Sequence, residues 1–311
     1  MNTIHAMMRL KESAAHNGPL CVGLDTDPSY LPARIAAQFD SPAQAVLAYN
    51  TAILSRIRGA AACCKVQIAY YEALGAAGLA AYAKTLAAVK AAGLPVIADV
   101  KRGDIAASAA AYAKAHFSGD FEADIITVNP YMGFDTLEPF SAYAHPEHGA
   151  KGMFVLLRTS NPGMNDIEKL ELAHGGTVID AVGNELNRLA QQFAALYPTQ
   201  TCSPIGAVVG CTQESDARQL RNAYPDIFFL IPGYGAQGGQ ARTAAALLDK
   251  AGGTVNSSRG ILTAWKKDAR LMQKEEQGTL TLDDIADAAA AEALHAKQEL
   301  LSAAADCGQR V

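Results

Sequence analysis

Short apolar runs rich in β-branched residues alternate along this chain with longer amphipathic or alanine-rich stretches, the pattern of parallel strands joined by crossover helices. Eight runs read as strands: Pro19–Asp25, Cys63–Ala69, Pro95–Val100, Asp124–Asn129, Met153–Arg158, Ile205–Cys211, Ile227–Ile231 and Thr254–Ser258. A helix is predicted from Ser41, with Pro42 at the favoured first position, and another from Tyr71 to Ala92, stopped by Gly93 and Pro95. Further helices fall at about Ile105–Phe117, Val178–Leu196, Glu214–Ala223 and Gln240–Lys250, and a last one spans about 282–304. Eight strands with intervening helices predict an α/β fold of the TIM (β/α)8 barrel type. An open doubly wound sheet shares that periodicity and is the competing architecture. No internal repeat, low-complexity tract or flexible linker divides the chain, so 1–311 reads as a single TIM-barrel catalytic domain. The segment Trp265–Gly278 is highly charged and reads as a solvated insertion before the last helix.

Composition narrows the classes of function. The 311 residues carry 26 Lys+Arg against 31 Asp+Glu, a formal charge of −5, without the basic excess that contacts to many nucleic-acid phosphates require. A few local cations can still set the field of one pocket for an anionic small molecule. No uncharged apolar run reaches the roughly 18 residues of a membrane span, and the N-terminal stretch has no apolar core of signal-peptide length. A cytoplasmic protein with neither a membrane nor a nucleic-acid partner is expected. Cys21, Cys63, Cys64, Cys202, Cys211 and Cys307 are scattered without metal-type spacing and read as reduced thiols, mostly small core residues.

The most informative stretch is the run from Pro95 to Ile105. An apolar strand ends in Asp99 and Lys101, two residues apart and therefore on one face of a regular strand, and Asp104 follows where Gly103 lets the chain turn. In a barrel, charges at the C-terminal end of a strand read as catalytic, because the active site lies at that end. A structural ion pair is the plainer alternative, but it would seldom need three such groups. Lys65 lies in an apolar strand on the face of Cys63 and Gln67, and could snorkel to water from an edge. If its strand neighbours that of Asp99, the two ends come within a few ångströms. Asp25 ends the first strand in the same manner, or simply caps the turn at Asp27-Pro28.

Gly233, Gly235 and Gly238 satisfy G-x-G-x-x-G, but after the seventh strand rather than the first, and without the ribose-binding acid about 20 residues on that a dinucleotide site requires. Glycine amides before a helix suit a phosphate, and Arg259 at the end of strand eight can add a charged fork. Leu157-Arg-Thr-Ser-Asn-Pro-Gly163 ends the fifth strand with polar groups suited to a heterocycle's edge, and Ser160 there is not in a G-x-S-x-G elbow. His145, His148 and His174 lie in loop-like segments without metal-type spacing.

Six ordered blocks resemble the orotidine 5′-phosphate decarboxylase family, in particular its longer bacterial subfamily. They are Gly23-Leu-Asp25, Lys65 with Gln67 and Tyr71-Glu72, Asp99-Val-Lys-Arg-Gly-Asp104, Thr127-Val-Asn-Pro-Tyr-Met-Gly133, Arg158-Thr-Ser-Asn-Pro-Gly163 and Pro232-Gly-Tyr-Gly-Ala-Gln-Gly-Gly239. The resemblance implies a TIM barrel that uses neither metal nor organic cofactor. It also implies a homodimer in which Asp104 and Ser108 reach into the partner's site. Lys65, Asp99, Lys101 and Asp104 would form an alternating charged array. Asp25 would bind ribose hydroxyls, Ser160 would read the pyrimidine, and Gln237 with Arg259 would hold the phosphate. Lys101 would stabilise and protonate the carbanion left at C6 when CO₂ departs, giving uridine 5′-phosphate. Val66 stands where that subfamily's proline is expected, and Ser108 where its threonine is. Three rivals are a Mg²⁺-dependent sugar-phosphate decarboxylase or aldolase on the same barrel, a Schiff-base aldolase using Lys101 or Lys65, and a phospholigand-binding barrel without catalysis.

Overall fold

A computed structural model describes residues 3–234 and 241–308. Eight parallel strands close into a barrel: β1 (Leu20–Gly23), β2 (Cys63–Gln67), β3 (Val96–Arg102), β4 (Ile125–Val128), β5 (Gly152–Arg158), β6 (Ile205–Val209), β7 (Phe229–Ile231) and β8 (Gly253–Ser257). Each strand pairs with the next, and β8 returns to β1 through Leu20↔Val255, Cys21↔Asn256 and Val22↔Ser257. Closure settles the choice against an open sheet. It also explains why the strands read as continuous apolar runs: both faces are covered, one by helices and one by the barrel interior.

The outward faces, among them Val22, Val66, Ala98, Val155 and Val209, join the shell of helices in the main core. Helix boundaries follow local chemistry. Ser41 Oγ accepts the amide of Gln44 ahead of the helix Pro42–Ile57, and Thr281 forms a capping box with Asp284 at the head of the helix Leu282–Asp306. Inward-facing Cys21, Cys63, Ile97, Ile125, Phe154 and Phe228 form a second apolar cluster with Ala6, Met7 and Leu10 of a helix at Ala6–Asn17, which seals the N-terminal end of the barrel.

Three expectations are corrected. The helix expected from Tyr71 to Ala92 is two helices, Ile68–Glu72 and Gly75–Ala91, because Gly75 adopts φ +67° and breaks the run; Ala69 therefore belongs to a helix, not to the second strand. The segment Trp265–Gly278 is not wholly solvated. Trp265 is buried and its Nε1 donates to the Tyr30 carbonyl at 3.2 Å, whereas the following helix Ala269–Glu276 buries no residue. β1 ends at Gly23, so Asp25 stands in the loop beyond it. No helix among the described residues is long and apolar enough to cross a membrane.

Candidate active site

The barrel interior is layered by the two-residue period of its strands. Cys63, Ile97 and Ile125 belong to the apolar plug. Two residues further along each strand stand Lys65, Asp99 and Thr127, all buried, as a polar layer above it. That layer opens on a cavity of about 560 Å³ at the C-terminal ends of the strands, whose walls include Asp25, Lys65, Gln67, Asp99, Asn256 and Arg259.

Lys65 Nζ donates to Asp25 Oδ1 at 3.0 Å and to Asp99 Oδ2 at 2.8 Å, and Lys101 Nζ donates to Asp99 Oδ1 at 2.5 Å. The order Asp25, Lys65, Asp99, Lys101 is thus a chain of alternating charge. Asp99 also accepts Gln67 Nε2 on Oδ2 at 3.0 Å and Thr127 Oγ1 on Oδ1 at 2.9 Å. Asp25 accepts Ser258 Oγ at 2.8 Å, and a side chain on Gly23 would collide with that hydroxyl. Behind Asp25, Thr26 Oγ1 donates to Asn50, Asn50 Nδ2 to the Tyr71 hydroxyl, and that hydroxyl to the Leu24 carbonyl, which fixes the loop on either side of the carboxylate.

Burial opposes charge on Lys65 and Asp99, and here pairing wins. Desolvation pushes the Lys65 ammonium towards neutrality, but the carboxylates of Asp25 and Asp99 more than offset it and hold the lysine above its ordinary range. Desolvation likewise pushes Asp99 up, yet Lys65 and Lys101 hold its carboxyl well below the usual range. The Lys65 ammonium fills the place between the two carboxylates. The backbone is strained at the same point: Lys101 has φ +43°, a left-handed conformation that a non-glycine residue rarely adopts.

Four expected residues lie elsewhere or at the margin. Arg259 lines the cavity at the end of β8. Asp104, whose Oδ1 accepts the Ile105 amide, makes no ion pair among the described residues and stands outside the charged chain. Ser108 is exposed on the helix Ala106–Phe117. Ser160 is half-buried beyond β5, against Gly210 at the end of β6. Gln237 lies outside the described residues. Arg158, which opens the motif of Ser160 at the end of β5, is committed to structure: it is buried and donates to the carbonyls of Thr159 and Gly210 and to Asp216.

Sequence reasoning passed over Ser258 and Asn256, met Thr127 only inside a matching block, and noted Gln67 only as sharing a strand face and a block with Lys65. Nothing in residue type marks them, since a threonine or glutamine in a strand is unremarkable. A signal existed for two of them: Gln67 and Thr127 follow Lys65 and Ile125 at the two-residue spacing that returns to the barrel interior.

Residues 18–272 match the model of the orotidine 5′-phosphate decarboxylase / HUMPS family. A Clostridium perfringens protein named orotidine 5′-phosphate decarboxylase is 49% identical over 259 residues, 83% of this chain and 88% of its own length. The structure of Leishmania donovani OMP decarboxylase superposes with TM-score 0.66 at 29% identity, covering 91% of this chain and 99% of that one. Leishmania donovani UMP synthase superposes with TM-score 0.68 at 32% identity; this chain is covered over 91% of its length but spans only 57% of that protein. The chain therefore belongs to the orotidine 5′-phosphate decarboxylase / HUMPS family.

Proposed function

We infer that this protein releases the carboxylate of orotidine 5′-phosphate as CO₂ and yields uridine 5′-phosphate, a step of pyrimidine nucleotide synthesis. The observation that carries the reading is the ion-paired chain Asp25–Lys65–Asp99–Lys101 at the mouth of the barrel. When the bond from C6 to the carboxylate breaks, its electron pair stays on C6 in the ring plane, where the π system cannot delocalise it. An ammonium fixed beside that carbon stabilises the developing charge and then supplies the proton.

The two lysines divide these tasks. The Lys65 side chain is 6% exposed between two carboxylates that hold its protons, whereas that of Lys101 is 45% exposed and, among the described residues, paired with Asp99 alone. Lys101 is the proton donor and can be recharged from water. Lys65 keeps Asp99 ionised and in place. Asp25 takes the ribose hydroxyls, Ser160 reads the edge of the pyrimidine, and Arg259 with Gln237 holds the phosphate.

The active form is a cytosolic homodimer in which Asp104 and Ser108 complete the partner's site. Support comes from exposed apolar side chains next to Asp104 and in the loop after β4, where Ile105, Tyr131 and Met132 are 60%, 77% and 56% exposed. Surface of this kind beside a carboxylate that makes no ion pair among the described residues suits a second copy of the chain.

The test is to add orotidine 5′-phosphate with a chelator present and follow the loss of its ultraviolet absorption. Turnover is expected, and Lys101→Ala should abolish it while uridine 5′-phosphate still binds. A folded wild-type protein that leaves the absorption unchanged overturns the reading, and activity lost to the chelator would favour the Mg²⁺-dependent rival.

A further inference from the structure

The hydroxyl of Thr127 sits where the ladder between β3 and β4 fails. Ala98 pairs with Ile126 and Arg102 with Val128, so Asp99, Val100 and Lys101 together oppose Thr127 alone. This bulge leaves backbone donors without their usual acceptors. Thr127 Oγ1 accepts two of them, the amides of Val100 and Lys101, each at 2.9 Å, and gives its own proton to Asp99 Oδ1 at 2.9 Å. One proton and two lone pairs are all a hydroxyl has, and here all three are used inside a fully buried site.

The two ends of Lys101 are tied to that atom, one directly and one through Asp99. Its amide is bonded to Thr127 Oγ1, and its ammonium is bonded to Asp99 Oδ1, the same carboxylate oxygen that Oγ1 holds. Between these anchors the residue is kept at φ +43°. Such a conformation persists only where its surroundings over-determine it. Beyond the bulge the ladder resumes, with the Asn129 amide donating to the Arg102 carbonyl at 2.8 Å.

We propose that Thr127 is a positioning residue: its hydroxyl sets the strained backbone of Lys101 and orients Asp99, so that the Lys101 ammonium is preorganised over the reacting carbon. Thr127 itself touches no substrate. Its effect therefore falls on kcat rather than on nucleotide binding. The proposal rests on the decarboxylase reading above.

The experiment compares Thr127→Val, which keeps the shape and removes the hydroxyl, with Thr127→Ser, which keeps the hydroxyl. Thr127→Val should lower kcat about 100-fold, the scale of a small misplacement of a catalytic group, with KM and uridine 5′-phosphate affinity within about threefold of wild type. Thr127→Ser should recover most of that loss. A second readout needs no turnover: in Thr127→Val the peptide carrying Lys101 should react several-fold faster with an amine-acylating reagent, as its ammonium leaves Asp99. Undiminished kcat in Thr127→Val, failure of serine to rescue, or unchanged labelling of Lys101 each overturns the proposal. If Thr127→Val does not fold, Thr127→Cys is read in the same way, and failure of both to fold assigns the hydroxyl to the scaffold and also overturns it. Wild-type protein inert towards orotidine 5′-phosphate would sink the decarboxylase reading instead, while the labelling comparison would still decide the role of Thr127.

Discussion

Asp99→Asn is the sharpest perturbation of this site, because one carboxylate, 8% exposed, receives both ammonium groups. Oδ2 takes Lys65 at 2.8 Å and Oδ1 takes Lys101 at 2.5 Å, with Gln67 and Thr127 filling the remaining positions. An amide of the same shape has one oxygen and one NH₂. Whichever way it turns, an N–H donor faces one of the two ammoniums. Removing one partner of a buried pair costs about 3–5 kcal/mol, and Lys65 keeps Asp25, so the lower end applies to folding. Carried wholly into the transition state, the same range corresponds to roughly 10²–10⁴ in kcat. The row of Asp25, Lys65, Asp99 and Lys101 is formally neutral, and the substitution leaves it one unit positive, so the substrate with its carboxylate should bind as well as before or better. Steady-state kinetics and calorimetric binding of orotidine 5′-phosphate separate the two effects. A folded Asp99→Asn protein with kcat within tenfold of wild type, or with binding lost in step with kcat, would refute the assignment of Asp99 as the group that holds Lys101.

If the site is shared, mixing inactive Lys101→Ala with inactive Asp104→Asn and allowing the subunits to exchange restores about a quarter of wild-type activity, since half the dimers are mixed and each carries one intact site; no recovery would place Asp104 in its own protomer's site or nowhere near catalysis. His5 is buried, with Nδ1 accepting the Met8 amide and Nε2 bonded to the Cys202 carbonyl, and desolvation lowers it from 6.5 to about 4. Its folded pKa lies below the unfolded one, so stability is complete above pH 6.5 and falls by up to about 3 kcal/mol as the pH drops to 4; His5→Gln should flatten the fall of melting temperature over that window, and an identical pH profile would count against it. Arg221 is buried against the ring of Phe229, and its guanidinium donates to the carbonyls of Tyr224, Ile227, Leu247 and Gly252. Arg221→Met should therefore lower stability by about 3 kcal/mol, seen in denaturant unfolding, while kcat stays unchanged.

The strands were legible because closure buries them on both sides, and a run such as Ile205–Val209 has no polar face to disguise it. The helix Ala6–Asn17 was passed over: its segment is polar on average, yet Ala6, Met7, Leu10 and Ala14 make the stripe that plugs the barrel. The break at Gly75 was hidden in an alanine-rich run whose propensity favours helix on both sides. Trp265 was read with the charges that follow it, although a lone indole among lysines marks the point where such a segment is pinned to the core.

The charged site was legible by a route that the fold does not take. Asp99 and Lys101 were expected on one face because a regular strand returns to the same side after two residues. In the barrel the strand is not regular there: three residues oppose one, and Lys101 leaves the strand region of backbone space altogether. The pleat alone would have turned Lys101 inward on the same face as Asp99. The bulge instead lifts its side chain to the cavity mouth while its ammonium still reaches the Asp99 carboxylate. One lysine locked and one lysine accessible is what separates an electrostatic clamp from a proton donor, and the spacing Asp-x-Lys does not encode it. It becomes visible only when the backbone donors of Val100 and Lys101 are followed to their acceptor on the neighbouring strand.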